Sequence, residues 1–218
     1  MTRQNRVTPF GEIAALPLRG QFMGNRGILH DARGEIIRPY QSKAWIICVL
    51  AFKGRRLPLM QPGHYTQLFF FDEAVALAAG HRPCFECQRA RAQAFREAWL
   101  AGNRIAANSG KTPISQIDAL LHAERLTSAT ALRDKRKRTY TAVLDNLPNG
   151  TFVAAAATAY LVWEDALLPW SPGGYGAAQK RPFAQPMTIL TPPSTVRALA
   201  AGYVPVVNLN RVEMRYDD

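Results

Sequence analysis

Apolar residues in the first half of the chain form runs of strand length between stretches with other patterns. Residues 44–52 are a continuous apolar run with many β-branched and aromatic side chains, and residues 65–71 form a second run. Both have the length and composition of β-strands. Asp72 then stands at the N-cap position of a short helix, 73–79, which Gly80 ends. The pattern therefore predicts two strands followed by a capped helix.

Two longer stretches have apolar positions at helical spacing. The first runs from Glu86 to about Ala101, and the second from Ser115 to Leu126. Ser115 with Asp118 three residues later resembles a capping box, which favours a helix start at Ser115. The apolar face of the first helix is predicted to consist of Ala90, Ala94, Phe95, Ala98 and Trp99.

The pattern changes after residue 146. Residues 151–163 alternate enough to predict two strands, and 187–190 predict another. Residues 168–176 contain two prolines and three glycines and are predicted to form a structured loop. A short helix is expected through Ala201, and 204–209 are expected to form a last strand.

These elements predict an α+β fold. A small mixed sheet supported by helices would come first, and a β-rich layer would follow it. The change of pattern suggests a domain over 1–145 and a smaller β-rich one over 146–218, and the alternative is one continuous domain whose second half is the β-rich layer.

The composition is that of a globular protein, with 48% hydrophobic residues in 218. No run approaches the 18 or so apolar residues of a membrane span, so we expect no membrane partner. Residues 1–7 lack a continuous apolar stretch, so no secretory signal is predicted. A cytoplasmic location follows as the default expectation.

The charge changes this picture, because the net charge is +11. An excess of this size favours polyanions, so nucleic acid or a phosphorylated substrate is an expected partner. Five of the six residues 133–138 are positively charged. This run is either a solvated helix end or loop, or a patch that contacts phosphates. The residues expected to contact phosphate are Arg82, Arg133, Lys135, Arg136, Lys137 and Arg138.

The chain has three cysteines, and Cys84 and Cys87 have the spacing C-x-x-C. A disulfide framework is not expected in a chain of this length without a signal peptide. A C-x-x-C pair at the start of a helix suits zinc, because two thiolates reach one ion and the helix N-terminus stabilises their charge. A redox role would require a thioredoxin-like context, which the pattern does not predict. We therefore predict that Cys84 and Cys87 bind zinc in a knuckle supported by the helix.

The segment from Phe69 to Cys87 resembles the zinc-binding segment of Ada-type DNA methylphosphotriester repair domains. The shared features are an aromatic strand, a short alanine-rich helix and a Gly-x-Arg-Pro-Cys-x-x-Cys sequence, over about 20 residues. The resemblance implies that Cys84 and Cys87 are zinc ligands. The family's other two ligands are an upstream pair of cysteines, one of which accepts the methyl group. Only Cys48 stands upstream here, so methyl transfer is not carried over.

Two further ligands must come from the rest of the chain. Cys48 lies within the predicted strand 44–52, where a free cysteine can also be a small apolar side chain. His64 lies in a loop just before the second strand. His81 is more suited to packing or to phosphate contact, and His30 has no informative context.

His122 and Glu124 form an H-x-E sequence. Together with Pro83-Cys84-x-x-Cys87, this sequence resembles the two halves of the signature of zinc-dependent cytidine and adenosine deaminases, in reversed order. The resemblance implies that His122 is a third zinc ligand and that Glu124 transfers protons for the attacking water.

Two functions follow from these observations. The first is a deaminase-like zinc hydrolase that acts on a nucleobase, free or within a nucleic acid, with Glu124 as its catalytic residue. The second is a non-enzymatic nucleic-acid-binding protein with a closed structural zinc held by Cys48, Cys84, Cys87 and one histidine. An open fourth position on the metal would distinguish the first from the second.

Overall fold

The computed structural model describes residues 2–55, 58–104, 112–128 and 136–209. It contains helices and two β-sheets, so the predicted α+β class is confirmed. The first sheet has six strands in the order β2-β1-β5-β3-β4-β6. These strands are β1 (Arg6–Val7), β2 (Ile13–Ala14), β3 (Phe22–Asn25), β4 (Ile46–Cys48), β5 (Leu68–Phe70) and β6 (Arg82–Pro83).

The six-stranded sheet is mixed. β1 pairs with β5, and β4 with β6, in parallel, and the other neighbours pair antiparallel. The parallel register sets Ile46 opposite Arg82 and Ile47 opposite Pro83. Because parallel neighbours run in the same direction, Cys48 at the end of β4 and Cys84 just after β6 lie side by side.

Four α-helices and one short 3-10 helix, Leu144–Asn146, belong to the described residues. Asp72 caps the first helix as predicted, because its side chain accepts a hydrogen bond from the amide of Val75. The predicted capping box is wrong, because the third helix has Pro113 as its N-cap residue and no side-chain cap. The helices are α1 (Glu73–Ala78), α2 (Arg89–Gly102), α3 (Ile114–Arg125) and α4 (Pro193–Ala200).

The second sheet has seven antiparallel strands in the order β11-β10-β9-β8-β13-β7, with β12 also paired to β10. The loop predicted over 168–176 is wrong, because most of it forms the β10–β11 hairpin. The last strand predicted over 204–209 is also not formed. The strands are β7 (Tyr140–Val143), β8 (Phe152–Ala155), β9 (Thr158–Trp163), β10 (Ala166–Ser171), β11 (Gly174–Tyr175), β12 (Gln179–Lys180) and β13 (Pro186–Ile189).

One hydrophobic cluster connects the two sheets. It contains Phe70 of β5 and the buried face of α1 together with Phe152, Leu161 and Tyr175 of the second sheet. The Tyr175 hydroxyl donates to the Asp72 carboxylate over 2.7 Å, which adds a buried polar link. No helix in the described part of the chain has the length and apolar character needed to cross a bilayer.

Candidate metal centre

The three cysteines of the chain come together at one edge of the six-stranded sheet. The Sγ atoms of Cys48, Cys84 and Cys87 all lie within 4.8 Å of one another. All three are free thiols; Cys84 is buried, and Cys48 and Cys87 are half-buried. Three converging thiols at this spacing could hold a metal ion.

Backbone pairing between β4 and the turn after β6 fixes the cluster. The amide of Cys84 donates to the carbonyl of Ile47 over 2.9 Å. The side-chain amide of Gln88 donates to the same carbonyl over 2.9 Å, and Gln88 is the residue that precedes α2. The turn between Cys84 and Gln88 is therefore held against β4 at both of its ends, which keeps Cys87 next to Cys48.

The pKa values of the three thiols are shifted in different directions. Hydrogen bonding from the Cys48 thiol, helped by the amides of Cys87 and Glu86, lowers the pKa of Cys84 to about 5. The same hydrogen bond, together with burial, raises the pKa of Cys48. Burial is the main cause that raises the pKa of Cys87. The lowered pKa of Cys84 favours its thiolate, which is the form of cysteine that binds metals.

The cluster opens on a cavity of about 360 Å³, which we call the cysteine pocket. The Glu86 carboxylate lines this pocket and forms an ion pair with Arg55 over 2.7 Å. Both side chains are more than half exposed, with 57% and 60% of their surface accessible, so the pair is weak. The aromatic part of the wall consists of Phe52, Tyr65 and Phe69.

His122 is not among the converging ligand atoms. Its ring lies 4.6 Å from the ring of Tyr40 and 6.4 Å from that of Trp45, in edge-on arrangements. The structure therefore places His122 in an aromatic group and does not bring it to Cys84 and Cys87.

Glu124 caps a helix. Its carboxylate accepts hydrogen bonds from the amide and the hydroxyl of Ser194, and it lies 3.6 Å from the guanidinium of Arg197. The N-cap residue of α4 is Pro192, which has no side-chain acceptor, so Glu124 supplies the missing one. Glu124 is therefore not part of the cysteine cluster, and the structure does not place it for the catalytic role predicted from the sequence.

All four histidines of the chain are among the described residues. The other three also lie away from the cysteine cluster. The Nδ1 atom of His30 lies 2.6 Å from the Thr66 hydroxyl. His64 is exposed, and its ring Nδ1 atom lies 3.3 Å from the carbonyl oxygen of Pro62. His81 is fully buried and accepts a hydrogen bond from Arg26.

The predicted phosphate contacts divide into three groups. Arg82 is buried and donates two hydrogen bonds of 2.7 Å to the Asp118 carboxylate, so it is not placed to contact a polyanion. Arg133 and Lys135 lie outside the described residues. Arg136 and Arg138 are exposed, whereas Lys137 is half-buried.

Glu86 is the residue of this site that sequence reasoning missed. The available signal was its position inside the C-x-x-C sequence, which keeps it beside the thiols in any turn.

Comparison with protein-family models, with curated proteins and with solved structures finds no significant match to this chain.

Proposed function

We propose that the protein is a zinc-dependent hydrolase of the deaminase-like class, with zinc held by Cys48, Cys84 and Cys87. The observation that carries the proposal is that three thiols converge at the mouth of a cavity without a histidine among them. Catalytic zinc typically has three protein ligands and an open fourth position, which here would face the cavity. Structural zinc has four protein ligands.

The donor set fits zinc. Thiolates are soft ligands that select zinc over magnesium or calcium. Sulfur atoms on a tetrahedral zinc ion are about 3.8 Å apart, given zinc–sulfur bonds of about 2.3 Å. The three Sγ atoms lie within 4.8 Å of one another, so small side-chain rotations bring them to that spacing. When bound, such an ion acts as a Lewis acid and makes a bound water molecule acidic near neutral pH.

Glu86 is the carboxylate best placed to accept and return a proton in the cysteine pocket. It lines the same pocket as the three cysteines, and it lies two residues from Cys84 and one from Cys87. Its ion pair with Arg55 is exposed and weak, so the carboxylate can change partners at little cost. Glu86 therefore takes the role that the deaminase resemblance gave to Glu124.

The walls of the pocket favour a planar substrate. Phe52, Tyr65 and Phe69 offer aromatic surface on one part of the wall, and Asn25 adds a side-chain amide. Aromatic rings and amides are the groups that hold a nucleobase by stacking and by hydrogen bonds to its edge. The volume of about 360 Å³ suits a single base better than a longer ligand.

The alternative is a nucleic-acid-binding protein in which zinc has a structural role. The net charge of +11 favours this alternative, since it attracts polyanions whether or not the metal is catalytic. The two functions differ in the fourth metal ligand, which is solvent in the first and a protein group in the second.

Cobalt substitution tests the fourth position without knowledge of the substrate. The protein is loaded with Co²⁺, and its visible absorption spectrum is recorded with and without added azide. An open position predicts a spectrum that changes as azide binds and a metal stoichiometry of one. A spectrum insensitive to azide, together with X-ray absorption that reports four protein ligands, would refute the hydrolase in favour of the structural alternative.

Activity is then tested by ammonia release from free nucleobases, nucleosides and single-stranded oligonucleotides. Glu86→Gln should abolish release while the zinc content stays unchanged. Glu97→Gln is the matched control, because Glu97 is an exposed glutamate of α2 that does not line the pocket. Ammonia release that survives Glu86→Gln would remove Glu86 from the mechanism, and no release from any of the substrates would contradict the deaminase-like class.

A further inference from the structure

A second cavity has a volume of about 590 Å³, and we call it the basic cavity. It shares no lining residue with the cysteine pocket. Five cationic side chains line it, against the single carboxylate of Glu12. The cations are Arg26, Arg38, Arg125, Arg136 and Lys137.

Two of these cations are buried at the inner end of the cavity. Arg26 and Arg125 each have only 2% of their surface exposed. Their guanidinium carbons lie 3.9 Å and 4.3 Å from the ring centre of Trp45, so the indole ring attracts both. Arg125 also packs closely against Gly80. A Cβ atom added to Gly80 would lie 3.1 Å from the Cβ atom of Arg125. The positions of both arginines are therefore fixed by packing.

Lys137 adds a third charge at the same place. Its ammonium group donates to the carbonyl of Ala78, and burial together with the charges of Arg26 and Arg125 lowers its pKa to about 7. The same mutual repulsion acts on the arginines, because Arg125 contributes to the lowered pKa of Arg26. Three cations are thus held close enough to disfavour one another's charge.

The described residues leave this charge without a matching anion. Arg26, Arg125 and Lys137 form no ion pair with a carboxylate in the described part of the chain. Asp118 and Glu124 attract Arg125 from a distance, yet the first is paired with Arg82 and the second with Ser194 and Arg197.

Hydrogen bonding at the inner end is also incomplete. The terminal nitrogen Nη2 of Arg125 is buried without a hydrogen-bond partner among the described residues. Arg26 reaches the carbonyls of Gly11 and Pro39 only at 3.4 to 3.5 Å, the outer limit for such bonds. Buried donors in this state are costly unless a ligand completes their bonds.

We propose that the basic cavity binds the phosphate group of a small phosphorylated molecule between Arg26, Arg125 and Lys137. Guanidinium groups offer paired donors that match phosphate oxygens, and a doubly charged anion matches the local excess of positive charge. Arg38 and Arg136 at the exposed part of the cavity extend the positive field toward solvent. Apolar side chains complete the wall, which favours an organic phosphate over inorganic phosphate: Phe10, Ile13, Ile36 and Ile37.

This site is independent of the zinc proposal. The two cavities have separate linings, and a Lys137 variant leaves all three cysteines in place. Residues 136 and 137 also belong to the basic run whose contact with phosphate the sequence predicted, and both line this cavity.

Titration calorimetry with phenyl phosphate tests the proposal. Phenyl phosphate carries both the dianion and an apolar group, inorganic phosphate carries only the charge, and phenol carries only the apolar group. The protein is used as purified, in chloride buffers at constant ionic strength. Lys137→Met removes one inner cation, and Arg125→Lys keeps the charge but removes the paired donors. Lys180→Met is the matched control, because Lys180 is an exposed lysine of β12 away from the cavity.

We expect phenyl phosphate to bind the wild type more tightly than inorganic phosphate, and phenol not to bind. Lys137→Met should weaken binding at least about tenfold, which is the effect of losing one charge-assisted hydrogen bond. Arg125→Lys should also weaken it, and Lys180→Met should not change it. The proposal is overturned if the wild type does not bind phenyl phosphate, if Lys137→Met binds as tightly as Lys180→Met, or if phenol binds as well as its phosphate.

Discussion

Replacement of Lys137 by methionine should change how the stability of the protein depends on pH. The ammonium group of Lys137 is buried beside Arg26 and Arg125, and this environment lowers its pKa from 10.5 to about 7. Methionine has a similar length, carries no charge and keeps the apolar contacts of the lysine side chain. The substitution therefore removes a charge that the folded state disfavours while it leaves the packing nearly intact.

The sign of the effect follows from proton linkage. The folded-state pKa of Lys137 is below the unfolded-state value, so between pH 7 and 10.5 the unfolded state binds more protons. The free energy of unfolding of the wild type should therefore rise with pH across that interval. The full pKa difference corresponds to an upper limit of about 5 kcal/mol, at about 1.4 kcal/mol per tenfold change in acidity. Between about pH 7 and about pH 9.5, linkage gives a gain of about 3 kcal/mol.

Urea unfolding followed by circular dichroism at these two pH values is the measurement. Chloride buffers without phosphate are required, because a bound anion would restore the pKa of Lys137. Other groups, including the cysteines, also titrate in this range, but they are common to both proteins and cancel in the difference. The stability of the wild type relative to Lys137→Met should rise by about 3 kcal/mol from the lower to the higher pH. Parallel pH profiles for the two proteins would refute the burial of a destabilised ammonium group at this position.

Three further substitutions test other parts of the structure. Cys48→Ser should release the metal, as measured by zinc content, and full zinc retention would remove Cys48 from the ligand set. Glu124→Gln should keep the zinc content and lower the free energy of unfolding by about 1 to 2 kcal/mol, through a weaker cap on α4; loss of zinc would contradict the capping role. Asp118→Asn should cost about 3 to 5 kcal/mol in urea unfolding, because it leaves the Arg82 guanidinium buried without its partner. A cost below about 1 kcal/mol would show that the Arg82–Asp118 pair is open to solvent.

The sequence alone was sufficient where the signal was local. The Asp72 cap follows from capping chemistry, and α2, α3 and the strands within 151–163 follow from the side-chain pattern within a few residues. The close approach of Cys84 and Cys87 is equally local, because two residues in one turn cannot separate. These features need no knowledge of how distant segments pack.

The tertiary structure decided which distant residues meet the cysteine pair. Cys48 joins it because β4 and β6 are parallel neighbours in a register that no local pattern encodes. The H-x-E sequence matched a deaminase signature, yet α3 directs His122 to Tyr40 and Glu124 to the start of α4. A match of three letters carries no information about the direction in which a helix faces its neighbours.

The charge of the protein shows the same division. Its composition determined that a large positive excess exists, and the run 133–138 indicated part of it. Only packing could reveal that Arg26 and Arg125, almost 100 residues apart, lie over the ring of Trp45. Burial, not the number of charges, makes these cations candidates for binding an anion, because a charge removed from water must find its partner within the fold or in a ligand.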